Sequence, residues 1–276
     1  MSQPVTLTLT RLTEPDNLVR EVLGDLFAQT GVCGEILFIE QSESEAIQER
    51  EFSSDRWNFR IIRRRLDGLS AARNLSVVEA ENDLVLFCDA DALATPEWAA
   101  RLTEVLSQRD VAIAGSRILP NWRGRRPLLT ASRVVLDQYS LFDLGEETIA
   151  SHRVVGAGFG IDRTKVPDEM VFDENLGRRD GRLFGGEESD LCRRVSEAGG
   201  NVMYVGGALI YHVIPAERCR TAWILKRLFY AGYGRSQIGG GPNPSRKPVV
   251  ADWLLLPITL PPYALGWLAG KFSGKK

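Results

Sequence analysis

The sequence predicts an α/β protein: a doubly wound, mostly parallel sheet with flanking helices. Three observations carry that expectation. Apolar runs of strand length alternate with stretches of helical periodicity through the first 120 residues. The best-defined run, Leu84-Val85-Leu86-Phe87-Cys88, is continuous rather than alternating, as suits a strand covered on both faces. It ends in Asp89-Ala90-Asp91, and open α/β sheets bind ligands at the C-terminal ends of their strands.

The elements follow in order. Val5 to Leu12 alternates Val, Leu and Thr and reads as a first strand. Glu14-Pro15-Asp16-Asn17 breaks it and caps a helix with Leu18, Val19, Val22, Leu23 and Phe27 at helical spacing. After the turn at Gly31 to Gly34, Glu35 to Glu40 is a second strand, and Ser42 to Glu51 reads as a short helix. Asn58 to Ile62 is a third strand, leading to a helix opened by Gly68-Leu-Ser-Ala-Ala-Arg-Asn74 and then to the strand bearing the two aspartates. Pro96 suits a helix start, with Trp98, Leu102 and Val105 on its buried face. Asp110 to Leu119 is the next strand, and Leu119 to Ser151 reads as loops and a helix. Val154-Val-Gly-Ala-Gly-Phe-Gly160 permits close backbone approach, but no long apolar helix follows as a dinucleotide fingerprint requires. A helix begins near Gly186 and ends at Gly199; two strands, Asn201 to Val205 and Ala208 to His212, then flank a turn at Gly206-Gly207.

At 276 residues and 44% hydrophobic, the chain can bury one large core. The expected division is a domain over 1–238, a Gly/Pro linker over 239–248 and an apolar tail over 249–276. Lys and Arg number 34 against 36 Asp and Glu, so no basic excess points to nucleic acid. Cys33, Cys88, Cys192 and Cys219 form no CxxC pair, which argues against zinc or a disulfide framework and fits a reducing, cytoplasmic setting. The tail carries no charge from Trp253 to Gly270 and holds interface-seeking aromatics, which suggests peripheral membrane contact. Pro257, Pro261 and Pro262 argue against one straight helix there; a segment folded onto the domain's own surface is the alternative.

Two carboxylates in D-x-D spacing can share one hard divalent cation beside a substrate's phosphates, and Arg73 can reach an anion gathered there. Downstream, Gly185-Gly-Glu-Glu-Ser-Asp-Leu191 puts three acids in the first turn of a helix, a favourable place for negative charge. GLSAARN, the apolar strand with its D-x-D, Pro96, Trp98 and this GGEESDL block together resemble family 2 glycosyltransferases of the GT-A fold over roughly residues 5–236.

The resemblance implies an inverting enzyme that moves a sugar from a nucleotide-sugar donor to a hydroxyl of a glycan or lipid-linked acceptor. Mg²⁺ or Mn²⁺ would sit on Asp89 and Asp91, with His212 completing the metal shell or touching the diphosphate. Glu40 would contact the nucleoside base, and Arg218 would close over the diphosphate. Glu188 aligns with the catalytic base, while Glu187, Asp190, Gly158 and Trp223 fall on the acceptor side. Two departures stand out: Glu188 replaces the usual Asp, and the usual second acid after Glu40 is missing. Work at the cytoplasmic face of an inner membrane would fit the tail. A non-catalytic sugar- or partner-binding relative is the alternative. A D-x-D phosphohydrolase fits less well, because Leu93 stands where that class carries Thr or Val.

Overall fold

Four strands that the sequence predicts as parallel neighbours pair that way, with their C-terminal ends on one edge. In the computed structural model, which describes residues 3–65, 68–167, 171–177, 186–238 and 249–273, they are β1 (Val5–Arg11), β2 (Gly34–Glu40), β3 (Trp57–Arg63) and β4 (Leu84–Asp89). Between them lie α1 (Asp16–Phe27) and α2 (Leu69–Glu79). After β4 come β5 (Ala92–Ala94), α3 (Trp98–Leu106), β6 (Val111–Trp122), α4 (Arg133–Leu136), β7 (Thr148–Ala150) and β8 (Gly158–Asp162). α5 (Glu187–Glu197), β9 (Asn201–Ile214), α6 (Thr221–Ile238) and α7 (Val250–Ser273) complete the described elements. The sheet runs β3-β2-β1-β4-β8-β6-β9-β5, with β7 also on β9. The fold class expected from the sequence is the one observed.

Burial explains the order. β1 and β4 are covered on both faces, and α1 lays Val19, Val22, Leu23 and Leu26 into the core. α3 buries Trp98 completely, and its indole N–H donates to Ser116 Oγ at 2.7 Å. β8 runs antiparallel between β4 and β6, which carries the 156–158 run to the end of β4, where the Asp89 N–H donates to the Ala157 carbonyl at 3.2 Å. β5 pairs with β9 so that Ala92 lies opposite His212.

Three local expectations change. The helix expected over Ser42 to Glu51 is only a 3₁₀ turn at Glu49–Glu51. Ser42 Oγ accepts from the Ser44 N–H and Ser44 Oγ from the Ala46 N–H, so side chains take donors a helix would use. Gly206-Gly207 is no turn: β9 runs through, with a register shift that places Val205 opposite Ser116 and Leu209 opposite Arg117. A Cβ at Gly206 would lie 2.3 Å from the Glu146 carbonyl carbon, so the glycine serves close backbone approach. The tail is one continuous helix through Pro257, Pro261 and Pro262, packed along α6. The expected linker over 239–248 lies outside the described residues.

Candidate functional site

At the C-terminal edge of the sheet, Arg63, Glu40 and Arg11 stand side by side by register, and Asp89 ends the next strand beside Thr10. Glu40 is buried; Arg11 Nη1 donates to its Oε2 at 3.1 Å and the Ser42 N–H to its Oε1 at 2.9 Å. Both oxygens therefore already serve the protein.

Asp91 reaches the next group through the β5–β9 pairing. The Val213 N–H donates to the Asp91 carbonyl at 2.7 Å, and His212 Nε2 lies 3.2 Å from Asp91 Oδ1. Arg218 Nη1, from the 3₁₀ turn after β9, lies 3.4 Å from Asp91 Oδ2. Asp91, His212 and Arg218, expected on the metal and diphosphate side, are thus brought together from segments more than a hundred residues apart.

The deepest charge in the site is Arg73. Nη1 donates to Glu187 Oε1 at 2.9 Å and to Glu188 Oε1 at 3.1 Å; Nη2 donates to Asp89 Oδ1 at 3.2 Å and to the Gly156 carbonyl at 3.1 Å. Its guanidinium also lies 5.4 Å from the Phe159 ring centre. Burial pulls the Arg73 pKa down, but Glu188, Asp89 and Glu187 outweigh it and hold it above the ordinary arginine value. The sequence reading sends Arg73 to a donor anion; in the structure it ties one D-x-D carboxylate to the two glutamates.

The glutamates differ. Both open α5, but the Glu187 side chain is 3% exposed and that of Glu188 16%, and both line an open cleft of about 190 Å³ with Arg73, Asp89 and Gly156. Burial first, then the negative charge of Glu188, push the Glu187 carboxyl up to about 7, against the pull of Arg73. Among the described residues, Glu187 Oε2 is buried with no hydrogen-bond partner.

Other expected residues fall nearby. Asp190 is held by Arg193 Nη2 at 2.7 Å and Arg194 Nε at 2.9 Å. Partial burial raises its pKa, but those two bonds outweigh it and leave the carboxyl below the usual range. Trp223 stacks on Tyr139 with ring centres 5.0 Å apart. Gly158 faces away from the carboxylates: a Cβ there would lie 2.2 Å from Ile210 Cδ1, inside the core. Gly156 is the glycine that the site requires, since a Cβ there would lie 1.9 Å from Glu188 Oε1 and 2.6 Å from Arg73 Nη2. It stands in the same small-residue run, which the sequence signalled without choosing between its glycines. Arg153, Asp137, Ser140 and Arg227 also line the cleft, and nothing in their spacing announced it.

Residues 14–165 match the model of the family described as Glycosyl transferase family 2, more than half of the chain. The chain belongs to that family. Among curated relatives, the glucosyl-dolichyl phosphate glucuronosyltransferase of Haloferax volcanii is 25% identical over 175 residues, covering 61% of this chain and 55% of the relative. The pre-mycofactocin glycosyltransferase of Mycobacterium tuberculosis is 26% identical over 202 residues, covering 69% of this chain and 40% of the relative. The chain thus spans about half the length of the curated relatives it matches. A solved mannosyltransferase from Pyrobaculum calidifontis, in complex with GDP-Man and Mn²⁺, superposes with a TM-score of 0.57 at 17% identity, covering 99% of this chain and 76% of that one. The fold is of the GT-A type.

Proposed function

We propose that this chain is an inverting glycosyltransferase that moves a sugar from a nucleoside-diphosphate donor to an acceptor hydroxyl. The observation that carries this reading is the buried Arg73, which fixes Glu188 at the cleft beside the D-x-D carboxylate Asp89. A hydroxyl ionises far above pH 7, so attack on an anomeric carbon gains from a carboxylate that takes its proton as the new bond forms. Glu188, the more exposed glutamate, is that base. Glu187, buried behind it, is a positioning residue with a raised pKa. The new carbon–oxygen bond forms as the bond to the diphosphate breaks, and one displacement inverts the anomeric centre.

Among the described residues no group of three or more His, Cys, Asp or Glu side chains is gathered to hold a metal. The donor set nevertheless fits a hard divalent ion, Mg²⁺ or Mn²⁺. Asp91 Oδ1 and His212 Nε2 lie 3.2 Å apart, close to the ~3 Å separation of neighbouring ligands on an octahedral ion with ~2.1 Å bonds. Asp89, Asp91 and His212 would hold it, with further ligands from the donor's phosphates, as suits ions bound by one or two carboxylates. When bound, the cation supplies positive charge against the leaving diphosphate. Arg218, beside Asp91, adds a second positive charge on that side.

The acceptor we assign is a glycan, glycolipid or lipid-linked intermediate, met at the cytoplasmic face of a membrane. The free thiols Cys33, Cys88, Cys192 and Cys219, the apolar face of α7 and a relative named for glucosyl-dolichyl phosphate support this. Thermal melts against a panel of nucleotide sugars, with Mn²⁺ and with EDTA, test the donor side. At least one donor should raise Tm by several degrees only with Mn²⁺ and be consumed. If none stabilises the protein and none is consumed, the reading fails.

A further inference from the structure

α7 has two opposite faces. One is a seam of small or half-buried residues, Thr259, Tyr263, Gly266 and Gly270, at helical spacing. Its glycines bring the backbone against α6: a Cβ at Gly266 would lie 1.8 Å from the Phe229 carbonyl oxygen, and one at Gly232 of α6 would lie 2.0 Å from that of Tyr263. This close packing of small residues fixes α6 and α7 as a hairpin.

The opposite face is exposed and apolar along its whole length. Leu254, Ile258, Pro261, Leu265, Leu268 and Phe272 recur at intervals of three and four, all exposed, with Ile258 at 45% and Phe272 at 76%. Trp253 and Trp267 flank the stripe, and no charged residue falls between Asp252 and Lys271. A stripe this long on a 24-residue helix, about 36 Å, exceeds the scattered exposed apolar residues of an ordinary surface. Asp252 removes its own charge from this face: its Oδ1 accepts from the Arg133 N–H and from Ser132 Oγ, both at 2.7 Å, and so caps α4. That bond brings Val134 and the preceding turn, with Leu128 90% exposed, beside the start of the stripe. Exposed Arg123, Arg125 and Arg126 precede Leu128, and Lys271 lies at the far end, 5.2 Å from the Trp267 ring centre.

We propose that the outer face of α7, together with Leu128 and Val134, is one docking surface for an anionic lipid bilayer, which the helix lies on rather than crosses. Among the described residues no helix is long and apolar enough to cross a membrane. A long apolar stripe with tryptophans at its margin and cations at both ends matches a lipid interface, where each basic residue near an anionic surface adds attraction. A second copy of this chain is the poorer occupant, because a two-fold contact would set the same arginines and lysine against each other. The surface also adjoins the cleft. α4 runs directly into the turn that supplies Asp137, and α6 supplies Arg227, so a chain docked this way presents its cleft mouth close to acceptors held in the bilayer.

The test uses the full chain, flotation with vesicles of phosphatidylglycerol and phosphatidylcholine, and the variant Leu254→Glu/Leu265→Glu/Phe272→Glu. All three side chains point outward, so the variant should melt as wild type does. Wild type should float with the anionic vesicles, less so in high salt, and the variant's bound fraction should fall at least about tenfold. Arg125→Ser/Arg126→Ser should weaken binding to anionic vesicles alone. Flotation of the triple variant at the wild-type level overturns the proposal. So does a wild-type dimer in light scattering that the triple variant turns into a monomer without any vesicle binding. The surface does not rest on the glycosyl-transfer reading: vesicle binding by a chain that consumes no nucleotide sugar leaves it standing and removes only that reading.

Discussion

Gly156→Ala displaces the proposed base, and the arginine that holds it, while leaving the sheet in place. The added Cβ would lie 1.9 Å from Glu188 Oε1 and 2.6 Å from Arg73 Nη2. Ordinary contact begins near 3.4 Å, so the carboxylate must withdraw by about 1.5 Å. The clashing atoms are side-chain tips, which can move without disturbing the sheet, so Tm should fall by no more than a few degrees. Misplacing a reacting group by about 1 Å costs on the order of 10²-fold in rate, and the variant should lose at least that in kcat. Donor affinity should fall far less than turnover, because Asp91, His212 and Arg218 are untouched and only Asp89, held by Arg73 Nη2, feels the shift. Gly158→Ala is the control. Its Cβ would lie 2.2 Å from Ile210 Cδ1, a core clash costing about 1–3 kcal/mol of stability. It should melt lower and keep its activity per folded molecule. Steady-state kinetics beside calorimetric melting decide the matter. A Gly156→Ala protein with wild-type kcat would refute the placement of Glu188 as the base.

Two further outcomes follow from the charges in the cleft. The Glu187 pKa is raised above its ordinary value of 4.5 to about 7, so the folded chain holds that proton more tightly than the unfolded chain does. Its contribution to stability is complete below pH 4.5 and is lost as pH rises through about 7. Glu187→Gln, which imitates the protonated acid, should therefore gain in Tm on wild type between pH 5 and pH 8; a Tm difference that does not change with pH contradicts this. Asp91→Asn keeps the shape of the side chain and removes its charge. Titration calorimetry should show nucleoside-diphosphate affinity reduced at least about tenfold with Mn²⁺ and unchanged with EDTA, whereas equal losses in both would assign Asp91 a structural role.

Much of the fold was legible because burial writes itself into local pattern. β1 to β4 read correctly from runs of Val, Leu, Ile and Phe, and α1 and α3 from apolar spacing. β9 was misread because a glycine pair marks a turn and a bulge alike; only the Glu146 backbone lying against Gly206 distinguishes them. The serines after β2 defeated a helix by hydrogen bonding locally, an alternative that periodicity does not register. α7 persists through three prolines because the glycine seam holds it on α6, a tertiary fact. In the site, Asp89, Asp91 and the glutamates were visible as short motifs at element ends. The use made of Arg73 was not, since its glutamate partners lie 114 and 115 residues away along the chain. Gly156 was hidden by its neighbour Gly158, because two glycines in one run look alike until the carboxylate above one of them is placed.

The measurement that reaches the central claim most directly is the release of nucleoside diphosphate from the donor that stabilises the protein, followed for wild type and Glu188→Gln at matched donor saturation with acceptor present. The substitution preserves the side chain's size and removes its basicity. Glu188→Gln should bind donor with wild-type affinity while its turnover falls by about 10²–10⁴-fold, the range a general base supplies. Turnover by Glu188→Gln within a few-fold of wild type would contradict that role.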